Sequence, residues 1–180
     1  MKACLKKKRQ AQKELYLRFS FTMKGVAMRY ASSEHSAEDI LQESFVRVFN
    51  NLKSYKDKGS LGGWIRVITI NTALELYREE KTREKHYGKL QLEMASSVSE
   101  EALRSIAMEE LLKKIQSLPT GYRLVFNLYA IEGFNHREIA TKLGVSEGTS
   151  KSQYARAKMK LQELILKDED FEQKIIKDAR

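Results

Sequence analysis

A single proline, Pro119, in 180 residues is the feature that most restricts what this chain can fold into. Strands in a sandwich or barrel need turn residues about every 8–12 positions, and one Pro with nine Gly cannot supply them. The apolar residues instead recur at steps of three and four. Leu15, Phe19, Met23, Val26 and Tyr30 mark one helix over 10–32, and Leu41, Phe45, Val48, Phe49 and Leu52 mark a second, which Ser36 is placed to cap. A third, from Trp64 to about Arg83, is apolar around much of its girth through Ile65, Val67, Ile68, Ile70, Leu74 and Leu76. Between them, 53–63 reads as a polar, Gly-bearing loop. The fold class is all-α.

Composition narrows the function. A lone Cys4 rules out a disulfide scaffold and suits a reducing cytoplasm. His35, His86 and His136 are far apart with no cysteine cluster, so no local metal-ligand set is expected, and no phosphate loop or nucleophile–base pair suggests a cofactor or enzyme. The basic start, Met1 to Arg9, is not followed by an apolar run of signal length, and no 18-residue apolar stretch predicts membrane insertion.

The charge is uneven. Residues 1–90 hold 19 Lys+Arg against 10 Asp+Glu and carry the whole net charge of +9, whereas 91–180 hold 14 of each. Inside that neutral half, 133–167 carries seven basic residues against three acidic ones. Two separate basic surfaces point to a polyanion held in two places. The plainer reading of such charge is solvated helix faces, so motifs decide.

Residues 86–103 lose the apolar pattern, and Ala95-Ser96-Ser97-Val98-Ser99 marks a linker. The expected organisation is a helical module at 1–85, a linker at 86–104, a second module at 105–167 and a charged tail at 168–180. Ile106, Leu111, Leu112, Ile115 and Leu118 open the second module, and Val125, Phe126, Leu128 and Tyr129 lie on a helix over 120–131.

The most informative stretch is FNHREIATKLGVSEGTSKSQYARAKMKLQ, 134–162. Asn135 with Glu138 has the form of a capping box. Ile139, Ala140 and Leu143 give a short apolar face, Gly144 supplies a positive-φ turn residue with Val145 tucked behind it, and Ser146 caps the next helix. That helix carries Thr149, Lys151, Ser152, Gln153, Arg156, Lys158 and Lys160, with Tyr154, Ala157 and Leu161 turned to the core. A short helix, a Gly turn and a basic helix make a helix-turn-helix, whose second helix enters the major groove. There Arg156 suits a guanine and Gln153 an adenine.

These motifs resemble the extracytoplasmic-function sigma factors of bacterial RNA polymerase. VSEGTSKSQYARAKMKL (145–161) is similar to their −35 reader. AEDILQESFVRVFNNL (37–52) is similar to the part that docks on the polymerase clamp, and GSLGGWIRVITINTALELYREEK (59–81) to the part that opens DNA and reads the −10 element. The resemblance implies polymerase-binding residues Asp39, Gln42 and Glu43, and −10 contacts by Lys58, Ser60, Arg66, Asn71, Arg78 and Lys81, with Arg83 a further phosphate contact. Asn71 is implied to lie near a flipped base, and Trp64 is expected in the core. It also implies the clamp and flap regions of core polymerase, promoter DNA and an anti-sigma factor as partners. Ser150, Ala155 and the Gly62–Gly63 pair depart from the commoner family pattern and bear on which promoter is read. Two rival readings are a stand-alone helix-turn-helix regulator, which leaves the acidic stripe without a purpose, and a nucleic-acid enzyme using Glu38, Asp39 and Glu43, which lacks a further ligand helix.

Overall fold

The structure, a computed structural model, describes residues 2–56, 59–87 and 103–178. They form helices and turns in two compact units, Met1–Ser99 and Glu100–Arg180. Residues 88–102, which hold most of the expected linker, lie outside the described residues, as does Lys58.

The first unit contains α1 (Lys2–Leu5), α2 (Arg9–Tyr30), α3 (Glu34–Asn51), a 3-10 turn (Leu52–Ser54) and α4 (Leu61–Tyr87). Helices α2, α3 and α4 pack against one another pairwise. Met23, Val26 and Tyr30 of α2, Ile40, Phe45 and Val48 of α3, and Ile65, Ile70 and Leu74 of α4 form the buried core. Each fully buried Leu, Ile or Val contributes about 1.5–3 kcal/mol of transfer free energy, which is why the apolar stripes dictate how the three helices meet.

Two local boundaries differ from the sequence reading. The cap of α3 is Ser33, three residues earlier than expected. Its hydroxyl accepts from the Ser36 N–H at 3.2 Å, and its own N–H donates to the Ser36 hydroxyl at 3.0 Å. Ser36 therefore sits inside the first turn as the second half of a capping box. Similarly, α4 starts at Leu61 because the Ser60 hydroxyl accepts from the Gly63 N–H at 3.0 Å. Gly62 and Gly63 belong to that first turn and not to an open loop. A Cβ on Gly62 would stand 3.1 Å from Cε1 of Phe19, so the bare residue lets α2 and α4 approach.

The second unit contains α5 (Leu103–Gln116), α6 (Thr120–Phe126), a π-helical turn (Asn127–Ile131), α7 (His136–Leu143) and α8 (Glu147–Asp178). Ile115, Leu118, Ala157 and Leu161 cluster with Tyr122 and Phe126, and Leu124, Val125, Leu128, Ile139 and Leu143 are also buried. The expected helix over 120–131 is not regular, since α-geometry gives way to the π-turn at Asn127 and the chain reverses at Gly133, φ 78°. The buried Arg123, unmarked in the sequence reading, donates to the carbonyls of Gln116 (2.7 Å) and Leu118 (3.2 Å). It thereby satisfies carbonyls that the end of α5 leaves without helical partners.

The helix-turn-helix is as expected. Asn135 Oδ1 accepts from the Glu138 N–H at 3.0 Å while Glu138 accepts from the Asn135 N–H at 2.8 Å, and Gly144 takes φ 63°, ψ 42°. Nothing lies within 4 Å of a Cβ built on Gly144, so a side chain there meets backbone strain and no clash. Gly144→Ala should cost about 1–2 kcal/mol. It should lower the circular-dichroism melting of the second unit while the fluorescence transition of Trp64, a probe in the first unit, stays in place.

Candidate nucleic-acid interface and docking face

Helix α8 carries its cations outward. Lys151, Ser152, Arg156, Lys158 and Lys160 are exposed, whereas Ser150, Ala157 and Leu161 are buried. Residues 151, 155 and 158 form one stripe and 152, 156 and 159 its neighbour, at the steps that share a helix face. The Ser146 hydroxyl accepts from the Thr149 N–H at 3.0 Å, so it caps α8 as expected, and Thr149 is half-buried with its hydroxyl 2.8 Å from that of Ser146. Thr149 therefore serves the turn. Gln153 is half-buried as well, its amide occupying space that Gly121 leaves free on α6. Arg156 reaches the Tyr122 hydroxyl at 3.5 Å but stays exposed. Lys151 pairs with Glu147 at 2.6 Å and holds that carboxyl below the usual range, while Lys160 pairs with Glu163 at 3.1 Å and Lys158 lies 5.2 Å from the Tyr154 ring centroid.

The base of the reading helix is fixed by contacts that periodicity does not show. His136 stacks on Tyr129 at 4.5 Å between ring centroids, and Tyr154 packs against both. The His136 Nδ1 lies 3.0 Å from the Ser150 hydroxyl. Ser150 thus ties α8 to the start of α7, and a polar residue fits this buried position because a ring nitrogen meets it.

On the first unit, Asn71 and Arg78 lie seven residues apart on one exposed face of α4, and Val67 continues it at 56% exposure. Arg66 is half-buried on another side, since five residues turn the helix by about 140°. Lys81 is half-buried, 5.9 Å from the Tyr77 ring centroid, and Arg83 is exposed. Ser60 is exposed but its oxygen already caps α4. Just before it, the Tyr55 hydroxyl donates to the Gly59 carbonyl at 2.7 Å, and the Tyr55 ring lies 5.5 Å from that of Trp64. Trp64 is half-buried and not a full core residue.

The stripe on α3 also divides. Asp39 and Gln42 are exposed, while Glu43 accepts from Arg47 Nε at 2.7 Å, and Arg47 also pairs with Glu75 of α4. These two carboxylates, Glu43 first, hold the Arg47 guanidinium above its ordinary pKa. Glu38 is bound to Lys24 of α2, which also pairs with Glu34 at 2.8 Å. Alongside runs a groove of about 480 Å³ lined by Tyr16, Phe21, Lys24, Glu38, Leu41 and Gln42. Phe21 is 89% exposed, and with Leu17 it forms an outward apolar pair one turn apart, which was readable in the sequence as a second stripe on α2. Among the described residues, no cluster could hold a metal ion and no helix is long and apolar enough to cross a membrane.

Two family models match, Sigma-70 region 2 over residues 15–83 and Sigma-70 region 4 over 108–161. The first runs from within α2 to within α4, and the second includes the helix-turn-helix.

The chain belongs to the sigma-70 family of RNA polymerase sigma factors.

Curated relatives agree. The ECF RNA polymerase sigma factor SigE of Mycolicibacterium smegmatis is 30% identical over 153 residues, 79% of this chain and 56% of that protein. The RNA polymerase sigma factor SigZ of Bacillus subtilis is 28% identical over 152 residues, 84% of this chain and 85% of that protein. The chain thus spans little more than half the length of the first relative and most of the second. Among solved structures, sigma factor RpoE of Bartonella quintana, in complex with the anti-sigma factor NepR, aligns with a TM-score of 0.57 at 23% identity, covering 85% of this chain and 95% of that one. That likeness is one of fold.

The Ser150–His136 contact can be checked on this sigma factor directly. Ser150→Ala should cost about 1 kcal/mol in urea unfolding followed by circular dichroism, with no change in the Trp64 signal.

Proposed function

We propose that this sigma factor docks on core RNA polymerase through the α2–α3 face and grips promoter DNA with both units, reading the −10 element with the first and the −35 element with the second. The observation that carries the reading is the union, in one chain, of an outward basic helix on a Gly144 turn with an outward acidic and apolar face on α3 and α2. The first suits DNA and the second suits a protein.

Asp39 and Gln42, which are exposed, make the outer contacts to the clamp, and Phe21 supplies the apolar anchor beside them. Glu43 acts partly through Arg47, since that pair also ties α3 to α4. Asn71 and Arg78 share the face toward the −10 strand, with Ser60 and Lys81 beside it; Arg66 would reach DNA from its own side of α4, and Lys58 is assigned to the same strand by its place in the sequence alone. On α8, Lys151, Ser152 and Arg156 face base edges or the phosphates beside them. Lys158 and Lys160 follow the backbone, and Thr149 and Gln153 hold the helix at its angle. Linking two weak DNA contacts through one polymerase raises the effective concentration of each. The polymerase supplies the nucleotide chemistry, so the chain itself is regulatory and not an enzyme. It works in the cytoplasm, where an anti-sigma factor covering the α2–α3 face would block docking. In this reading the modules are 1–85 and 105–167, joined by 86–104 and followed by the charged tail 168–180.

Two measurements test the assignment. Wild-type protein should co-elute with core polymerase, and Asp39→Arg with Gln42→Arg should abolish that complex while leaving the melting temperature unchanged; persistent co-elution would remove the docking face. Arg156→Ala should cost about 1–3 kcal/mol at one upstream base pair, whereas an equal loss on every sequence would make Arg156 a phosphate contact.

A further inference from the structure

The start of the chain is more strongly built than a charged tail requires. Residues 2–13 hold six Lys and Arg and no acid. Helix α1 is closed by a Schellman motif: the Lys7 N–H donates to the Cys4 carbonyl at 2.9 Å and the Lys8 N–H to the Ala3 carbonyl at 3.1 Å. Lys7 takes φ 55°, the left-handed position that glycine usually fills. Cys4, only 7% exposed, anchors the turn, its thiol donating to the Ala11 carbonyl at 3.2 Å. Lys6, Lys7, Lys8 and Arg9 are all exposed, and no acidic group among the described residues lies within ion-pair distance of them.

The position of this turn is the telling point. Cys4 lines a cavity of about 580 Å³ together with Phe19, Leu52, Ser60, Leu61 and Gly62. The cationic turn, closed on the Cys4 carbonyl, is thus joined through Cys4 to the cavity that Ser60, Leu61 and Gly62 line at the start of α4. Exposed Lys53 and Lys56, on the segment before that loop, add the same sign of charge. Folding alone gives no reason to keep a lysine at a glycine position within a run of four cations. A polyanion passing the loop does, because each neutralised phosphate releases condensed counterions.

We propose that the α1–α2 turn, Lys6 to Arg9, is a phosphate-binding element that holds the backbone of the promoter strand beside the loop at 59–61. The proposal rests on the −10 role of α4 given above and extends its DNA surface to an element outside both matched family regions, which span residues 15–83 and 108–161. The contacts are to phosphates, so they add affinity without sequence preference.

The test uses the full chain assembled with core polymerase and a fluorescent fork-junction DNA, single-stranded over its −10 element, titrated across salt concentrations. Replacing Lys6, Lys7, Lys8 and Arg9 together by Gln should weaken fork binding about tenfold or more and reduce the salt slope by about 2–3, from roughly 0.7 per single-strand phosphate contact. Assembly with core polymerase should be unchanged. An unchanged slope overturns the proposal, and so does loss of the polymerase complex, which would make the turn a protein-docking element. If the fourfold variant melts early, Lys7→Gly decides. It removes one charge while easing the left-handed turn, so its slope should fall by about 0.7 in a protein at least as stable; an unchanged slope overturns the proposal. Failure of wild-type holoenzyme to retain the fork would instead bring down the −10 reading itself, and this inference with it.

Discussion

Burial of α4 between α2 and α3 is the constraint on which the first unit depends. Ile65 and Leu74 are essentially without solvent exposure, and Ile70 and Ala73 are buried beside them. A helix held on that many sides has little surface left to offer, so its orientation selects which polar residues remain available. Asn71 and Arg78 emerge on one free face, while Arg66 and Lys81 are partly covered. The Arg47 bridge to Glu43 and Glu75 locks the same geometry from the outside, since one guanidinium spans α3 and α4. At roughly a third exposure such a bridge contributes modestly to stability. Its consequence is positional: an acidic residue on the docking stripe is also a strut of the DNA-facing helix.

The second unit solves a related problem with backbone conformation. A short helix and a reading helix must meet at a sharp angle, and the left-handed Gly144 makes that turn possible. The angle is then held by side chains. His136, Tyr129 and Tyr154 stack together, Ser150 meets the His136 ring, and Gln153 rests against Gly121. Half of the polar residues near the start of α8 thus support the helix, leaving Lys151, Ser152 and Arg156 as its outward group. The division matters for a reader of DNA, because base recognition needs side chains displayed from a rigid platform.

Much of this was legible in residue order. The Asn135–Glu138 box, the Gly144 turn and the Ser146 cap are short-range devices, each complete within four residues, and all three are found. Boundaries decided by competing local partners were less legible. Ser33 and Ser36 are both good caps, and their reciprocal hydrogen bonds choose Ser33. Gly62 and Gly63 look like loop residues until the close approach of Phe19 explains why the first turn of α4 is bare. Arg123 carried no signal, because a buried arginine that satisfies the carbonyls ending α5 is a neighbour only in space.

The sequence by itself determined the all-α class, the helix-turn-helix and the uneven charge, because periodicity, caps and composition act within a few residues of one another. Only the tertiary structure decided which polar residues face outward. It divided the α3 stripe into exposed Asp39 and Gln42 and a bridged Glu43, and it set the cationic turn at Lys6–Arg9 beside the cavity that reaches Ser60. The reason is that burial is shared between helices: a helical repeat shows which side chains lie on one face, but the neighbour packed against that face settles whether a partner can reach them.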